Sequence, residues 1–286
     1  MPVPEINTAI EELIERALRE DIGDGDHSSL SCIPENATSK AQLIVKDYGV
    51  LAGVDVALQI FKKVDSSLQT DVLLQDGASI EPGQIVLYVE GSAQSILSAE
   101  RLVLNCMQRM SGIATYTAFL CALIKGTGAK LLDTRKTSPG LRVLEKMAVR
   151  IGGGENHRMG LYDMIMLKDN HIDFAGSVEN AIERANQYLQ NTGRSLPIEV
   201  EVRSLNELSA VLAVGNVQRI MLDNFSFDDL REAVRRINGR FETEASGGIT
   251  EETIRQYAEC GVNYISVGAL THSVKSLDLS LKAITS

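Results

Sequence analysis

Apolar positions along the chain fall into two regimes. From residue 129 to 270 a short β-prone run repeatedly ends in polar or glycine residues, and an amphipathic helix follows. The predicted strands are 129–134, 164–168, 198–202, 219–223, 241–245 and 264–267. Helix boundaries lie between them. Ser204 and Glu207 form a capping box, Ser226 precedes Asp228 and Asp229, and Thr250 precedes Glu251 and Glu252. Gly215, Gly239 and Gly261 stand where C-terminal caps belong. Six strands alternating with helices predict a parallel sheet. Chemistry-capable residues close several different strands. That favours an α/β barrel, TIM-like but incomplete, over a doubly wound sheet with one switch point.

Residues 1 to about 112 read differently. A helix over 5–20 leads to the acidic loop Asp21–Asp26, whose spacing does not match an EF-hand and which reads as a capped turn. Strands near 40–46, 70–74 and 84–90, with a helix near 54–64, predict a small α+β domain. A long helix over about 95–125 joins the two parts. Ala99, Val103, Cys106, Met110 and Ile113 form its buried stripe, with Met107 as core filler. Arg101, Asn105 and Gln108 share a polar face. The expected domains are 1–112 and 113–273, followed by a tail over 274–286.

Composition narrows the function classes. The chain has 286 residues, 44% hydrophobic and 23% charged, enough for a sizeable core and too apolar for wholesale disorder. A net charge of −10, 5% aromatic residues and no Trp argue against a nucleic-acid partner. No apolar run approaches a membrane span. The N-terminal segment lacks the basic start and apolar stretch of a signal peptide. Four cysteines without a CxxC pair fit neither a zinc pattern nor a disulfide framework, so a reducing cytoplasm is expected.

Charge is unevenly placed. The segment from Asp133 to His171 carries Arg135, Lys136, Arg142, Lys146, Arg150, Arg158 and Lys168 against Asp133, Glu145, Glu155, Asp163 and Asp169. It is net +2, which leaves −12 for the rest. A locally basic segment on an acidic protein suggests a site for a small polyanion. A solvated helix face would explain Arg142, Lys146 and Arg150, but not Arg135, Lys136 and Lys168, which end apolar runs.

Several strand ends could do chemistry. Asp133-Thr-Arg-Lys136 offers a guanidinium fork and a point charge for a carboxylate. Gly152-Gly-Gly-Glu-Asn-His-Arg158 lacks a P-loop or dinucleotide pattern. It reads as a bend that turns His157 and Arg158 inward. Lys168 suits a Schiff-base nucleophile or a cation for a substrate carboxylate. Glu201 and Asp223 could hold Mg²⁺, grip ribose hydroxyls, or pair with nearby cations. Ser246-Gly-Gly-Ile-Thr250 and Val267-Gly-Ala-Leu-Thr271 each open toward a predicted helix, a setting for phosphate.

These residues in this order resemble the quinolinate phosphoribosyltransferase family. The resemblance runs from about Glu20 to Ser273. It is densest in LLDTRKTSPGLRVLEKMAVRIGGGENHRMGLYDMIMLKDNHI, then EVEV, IMLDNF, ASGGI and SVGALTHS. The loop EDIGDGDHSS is also similar, with Ser28 and Ser29 where the family usually has threonines. The resemblance implies an N-terminal α/β sandwich, an incomplete α/β barrel and a C-terminal tail that packs back near the first domain. It implies transfer of phosphoribose from 5-phosphoribosyl-1-pyrophosphate to quinolinate with loss of CO₂, in NAD synthesis, with Mg²⁺. By the same resemblance Arg135, Lys136, His157, Arg158 and Lys168, with Thr134, line the quinolinate pocket. Glu201 and Asp223 serve ribose and metal. Ser246, Gly247, Gly248, Val267, Gly268 and Ala269 hold phosphates. Arg101 reaches into the neighbouring subunit's site, so a homodimer or higher oligomer is implied. Lys136 or Lys168 is the candidate for protonating the carbanion left by CO₂. The rivals are a Schiff-base lyase using Lys168, a non-catalytic dicarboxylate or sugar-phosphate binder, and a relative acting on nicotinate. The cation count favours two carboxylates over one.

Overall fold

The computed structural model describes residues 3–284. The first two residues of the N-terminal segment and the last two of the 274–286 tail lie outside the described residues. In chain order the first elements are α1 Val3–Ile22, α2 His27–Cys32, β1 Thr38–Val45, β2 Gly49–Val50, α3 Val54–Val64, β3 Gln69–Val72, β4 Ser79–Ile80, β5 Ile85–Ser92 and α4 Ala93–Leu123. Next come β6 Lys130–Leu132, α5 Arg142–Ile151, β7 Ile165–Leu167, α6 Asp169–Ala175, α7 Val178–Thr192, β8 Ile198–Val202, α8 Leu205–Val214 and β9 Arg219–Asp223. The chain ends with α9 Phe227–Ile237, β10 Glu242–Ser246, α10 Ile254–Glu259, β11 Tyr264–Ser266, α11 Ala269–His272 and β12 Leu279–Ala283.

Contacts divide the chain into two compact units. The first comprises Met1–Ala118, Thr137–Gly153 and Ala269–Ser286, and the second Phe119–Lys136 and Gly154–Gly268. A single boundary near residue 112 does not describe this division, because α5 packs on α1 within the first unit.

The first unit is built on an antiparallel sheet of order β12-β1-β5-β3. Alternation sets its buried face: Ala41, Leu43 and Val45 are buried on β1, with Leu279 and Leu281 on β12. The amphipathic helix α3 adds Val54, Val56, Ala57, Ile60 and Phe61 to the core. The expected stripe of α4 (Ala99, Val103, Cys106, Met110, Ile113) is buried, and so is Met107. Burial pushes the Cys106 thiol up to about 11, which suits an inert core residue. The acidic loop ends in Asp26, which caps α2 by accepting from the Ser29 N–H.

Two expectations for this unit change. The polar face of Gln108 is met by the chain's tail, because its side-chain amide donates to the Leu279 carbonyl and its backbone carbonyl accepts the Leu277 N–H. Lys146 is only 1% exposed, so the face Arg142–Lys146–Arg150 is not simply solvated. Its neighbour Glu145 is fully buried and takes two donors from Arg109, at 2.8 and 3.2 Å. Gly152 packs where a Cβ would come within 2.4 Å of the Ala114 carbonyl oxygen, so the glycine is needed there for close approach.

The second unit holds six parallel strands in the order β6-β11-β10-β9-β8-β7. All six predicted strands are present, shifted by a few residues at their ends. A bridge from Leu132 to Glu155 adds one parallel position beside β6. The register assigns the side chains to faces. Glu199, Glu201, Arg219, Asp223, Glu242, Glu244, Ser246 and Tyr264 share one face. Val200, Val202, Ile220, Leu222, Thr243 and Ala245 share the other and are at most 3% exposed. Such a polar face departs from the layers of branched aliphatic side chains that usually fill a barrel.

The caps at Ser204, Ser226 and Gly215 form as expected. The predicted helix start at Thr250 does not, whereas a helix does follow β11 directly, at Ala269. Thr250 opens a turn whose helix begins only at Ile254, and α11 has four residues. A helix dipole therefore contributes little at either loop. Among the described residues no helix is long and apolar enough to cross a membrane.

Candidate active site

The C-terminal ends of the second unit's strands bring two clusters together. The first sits on β7 to β10. Met166 pairs with Glu199, so Lys168, two residues on, stands level with Glu201. The Lys168 ammonium donates to Glu201 Oε2, and Glu201 is buried. Asp223 ends β9 opposite Ser246. Burial pushes the Asp223 carboxyl above its ordinary range, and the Glu201 charge adds to this. Asn224, Lys168 and Ser246 pull it part of the way back. Two carboxylates thus share one lysine at a half-buried position, an arrangement that has room for more positive charge.

The turn beside them is shaped by Asn224 and Gly247. Asn224 adopts a left-handed φ of 55°, donates from Nδ2 to Asp223 at 2.6 Å, and donates its N–H to the Ser246 carbonyl. Gly247 has φ 98°, and a Cβ there would lie 2.2 Å from Asn224 Oδ1. Gly248, at φ 60°, has open space around it. The small, left-handed backbone after Ser246 leaves room for a ligand without a helix end.

The second cluster is cationic. Asp133, fully buried, accepts the His157 N–H at 2.8 Å and the Asn156 amide at 2.5 Å. This carboxylate anchors the turn that follows the glycines. Arg158 is half-buried and donates to the Met164 carbonyl at 3.2 Å. Burial lowers its guanidinium pKa, the Arg135 charge lowers it further, and the Glu199 and Asp163 charges pull it part of the way back. Lys136 is exposed, and its N–H donates to Thr134 Oγ1.

Beneath both clusters lies a buried ionic network. His157 Nε2 is 2.9 Å from Glu199 and 3.4 Å from Glu244. Arg219 reaches Glu244 at 3.1 Å and Glu242 at 3.0 Å, and lies over the Tyr264 ring at 4.1 Å. Burial pushes the Glu199 carboxyl up, reinforced by Glu244. Burial works the same way on Glu244, but His157, Ser266 and Arg219 outweigh it and hold that carboxyl low. Burial lowers the His157 imidazole, and the two carboxylates more than reverse this, pushing it up to about 9. The Arg158 N–H opposes a second ring proton. It points at Nδ1 from 2.7 Å, where a protonated nitrogen would meet it donor to donor.

His157, Glu199 and Glu244 also have the mutual spacing of a metal triad, their ligand atoms within 4.8 Å of one another. Ligation through Nε2 would require the ring proton on Nδ1, the position that the Arg158 N–H occupies. The donor set therefore suits a proton held between carboxylates rather than a cation.

The remaining predicted residues fall as follows. Val267 is buried and gives its N–H to the Leu132 carbonyl, so that donor belongs to the sheet and not to a phosphate. Gly268 closes the second unit, and Ala269 begins α11 in the first. Arg101 is exposed on α4 of the first unit. Sequence reasoning passed over Asp133, Glu199, Arg219, Asn224 and Glu244 as site-shaping groups. The available signal was charge at alternate positions in EVEV, RIMLD and ETEAS, which puts ions on one face of a buried sheet.

Comparisons with known proteins agree with one another. The C-terminal domain model of quinolinate phosphoribosyl transferase matches residues 113–282, and the N-terminal domain model matches 26–111. The chain is 47% identical over 291 residues to the chloroplastic nicotinate-nucleotide pyrophosphorylase (carboxylating) of Oryza sativa subsp. japonica, covering 96% of this chain and 78% of that one. It is 47% identical over 288 residues to quinolinate phosphoribosyltransferase (decarboxylating) 1b of Nicotiana tabacum, covering 96% and 82%. The crystal structure of NadC from Streptococcus pyogenes superposes with a TM-score of 0.90 at 40% identity, covering 96% and 97%.

Proposed function

The chain belongs to the quinolinate phosphoribosyltransferase family, and we propose that the strand ends of its second unit carry out the family's reaction as follows. Arg135, Lys136, Arg158 and Lys168 receive the two carboxylates of quinolinate. The observation that carries this is the partly buried Arg135, whose buried Nε has no hydrogen-bond partner among the described residues, together with the partly buried Arg158. Like charges held together out of water favour an anionic ligand, and each charge-assisted hydrogen bond contributes about 1.5–3 kcal/mol. The turn from Ser246 to Gly248 receives phosphate, and Glu201 and Asp223 face the ribose.

The pyridine nitrogen attacks the anomeric carbon as pyrophosphate leaves, and Glu201 and Asp223 stabilise the cationic sugar. The 2-carboxylate then leaves as CO₂. Its electron pair stays on the ring carbon beside the cationic nitrogen, and Lys136 or Lys168 supplies the proton. Glu201 and Asp223 also fit Mg²⁺, since a buried and a half-buried carboxylate with one shared lysine retain affinity for a cation. When bound, the metal would neutralise the departing pyrophosphate. The ion pair to Glu201 occupies the nitrogen that a Schiff base would need as a free amine, which weighs against the lyase alternative.

Incubation with quinolinate, 5-phosphoribosyl-1-pyrophosphate and Mg²⁺ should yield nicotinate mononucleotide and CO₂ in equal amounts. Binding without CO₂ release would overturn the reaction in favour of a binding protein. Arg101 completes the site of a neighbouring subunit in a homodimer or larger oligomer. Mixing inactive Arg101→Ala and Lys136→Ala subunits should restore activity in mixed dimers, and no recovery would remove Arg101 from the site. Four cysteines free of disulfides support a cytoplasmic protein.

A further inference from the structure

Three features are not used by the proposed chemistry. One is a cavity of about 680 Å³ in the first unit, lined by α1, α4 and the start of α5. Its polar lining is already committed: Arg109 binds Glu145 and the Thr271 carbonyl, and Arg16 lies at the Gly140 carbonyl. The second is a set of exposed apolar side chains, Leu161, Tyr162 and Phe174, with no feature that specifies an occupant. The third is the side chain of Asn224, between the last carboxylate of β9 and the glycines after β10, and its geometry leads further.

We infer that Asn224 is a positioning residue for the phosphoribosyl donor: its one amide aims the Asp223 carboxylate and packs against the turn Ser246–Gly248, so that the ribose and phosphate contacts are set together. This rests on the reading of Asp223 as facing the ribose and of that turn as a phosphate site.

Asp223 and Ser246 are the last paired residues of β9 and β10. Beyond them the ladder no longer fixes the chain, and side chains must set the geometry. The Asn224 N–H makes the closing bond, to the Ser246 carbonyl at 2.9 Å. The backbone then turns at φ 55°, a left-handed conformation that asparagine tolerates better than most residues. Its Nδ2 reaches back to Asp223 Oδ2 at 2.6 Å. This bond fixes which way the amide faces, because the reverse orientation would set Oδ1 against the carboxylate, acceptor to acceptor. Oδ1 is therefore turned to Gly247, so close that a Cβ there would lie 2.2 Å from it. Asn224 is exposed, so these two contacts, not burial, hold its rotamer. The Glu201 charge repels Asp223, and the Asn224 donor holds that carboxylate in place against the repulsion.

The backbone and side-chain roles of Asn224 are separable. A left-handed turn is served as well by glycine, whereas the bond to Asp223 needs the amide. Asn224→Gly is expected to raise the KM for phosphoribosyl pyrophosphate about tenfold, as the loss of one charge-assisted hydrogen bond would. The quinolinate KM should stay within about twofold. Calorimetric titration of phosphoribosyl pyrophosphate without quinolinate should show the same loss in Kd. Asn224→Asp keeps the size of the side chain but sets two carboxylates face to face, and should lose at least as much. The control is Asn216→Gly. That asparagine is also left-handed, φ 56°, but precedes the start of β9, and its replacement should leave all three values within about twofold.

The contact with the turn is tested by combination. A Cβ at position 247 would meet the Asn224 amide, so Gly247→Ala should weaken the phosphoribosyl donor less in the Asn224→Gly background than in wild type. A folded Asn224→Gly with unchanged affinity for phosphoribosyl pyrophosphate would reduce Asn224 to its backbone role and overturn the inference. So would equal rises in both KM values, or losses that multiply in full on adding Gly247→Ala. If Asn224→Gly failed to fold, wild-type affinity in Asn224→Asp would overturn it in the same way. A wild-type protein that binds phosphoribosyl pyrophosphate but makes no product would instead refute the proposed reaction, and the calorimetric comparison would still decide the role of Asn224.

Discussion

Two layers of charge lie on the strands of the second unit and in the loops beside them, and behave in opposite ways. The inner layer is closed on itself: Glu244 meets Arg219 and His157, and Glu199 meets His157. The outer layer, at the strand ends and adjoining loops, is only partly paired, through Lys168 and Glu201. Arg135 crowds Arg158, and Asp223 crowds Glu201. Residue types alone do not separate the layers, since both contain arginines and carboxylates on buried or half-buried sites. Compensation does. A charge whose partners belong to the fold supports the fold, whereas charges that repel one another at the rim store affinity for a ligand.

This contrast breaks first on Glu244. Glu244→Ala strips the buried one of two carboxylate partners from Arg219 and one carboxylate from His157, and should cost about 3–5 kcal/mol of stability by urea unfolding. A loss below about 1 kcal/mol would mean that the inner layer is not self-compensating. Next comes Arg158→Ala at the rim. It should lower kcat/KM for quinolinate by about a hundredfold, since one charge-assisted bidentate contact is lost. Its unfolding midpoint should stay near that of wild type, because no carboxylate of the inner layer depends on it.

Gly247→Ala sharpens the comparison at the phosphate side. A Cβ at φ 98° and 2.2 Å from Asn224 Oδ1 must displace the turn. The expected strain is about 1–3 kcal/mol, read as a raised KM for the phosphoribosyl donor with a smaller change for quinolinate.

The smallest expected effect has the opposite sign. Folding raises the Asp223 pKa, so the folded state holds that proton more tightly than the unfolded chain. The contribution is favourable below the ordinary carboxylate range and is lost as pH rises through the raised folded value. At neutral pH the charged group is therefore a burden on the fold. Asp223→Asn should raise Tm by about 1–2 °C while abolishing turnover, and the gain should shrink as the pH is lowered. A fall in Tm at pH 7 would show that Asp223 is a structural partner rather than a rim carboxylate.

Much of this arrangement is visible in the sequence for physical reasons. The six barrel strands are legible because each buried run ends abruptly in polar or glycine residues, and α3 because its apolar residues recur on one helical face. The rim cations are legible because Arg135, Lys136 and Lys168 interrupt apolar runs. The inner layer is harder to read. Glu199 and Glu244 stand inside short runs, where a charge looks like a strand end or a surface position until the register pairs it with Arg219. The strand β12 escapes because five residues at a tail carry too little period to identify it. The helix start after Gly248 is misplaced because glycine and threonine fit a turn as well as a cap. Lys146 shows the same limit: spacing alone does not reveal what a helix face meets.

The account stands on the open layer being built for two carboxylates. The most direct test compares kcat/KM for quinolinate with that for nicotinate, which lacks the 2-carboxylate, in one protein preparation with Mg²⁺ and phosphoribosyl pyrophosphate. A preference for quinolinate of about a hundredfold or more is expected, from one carboxylate's worth of charge-assisted contacts. Equal values for the two acids would contradict it.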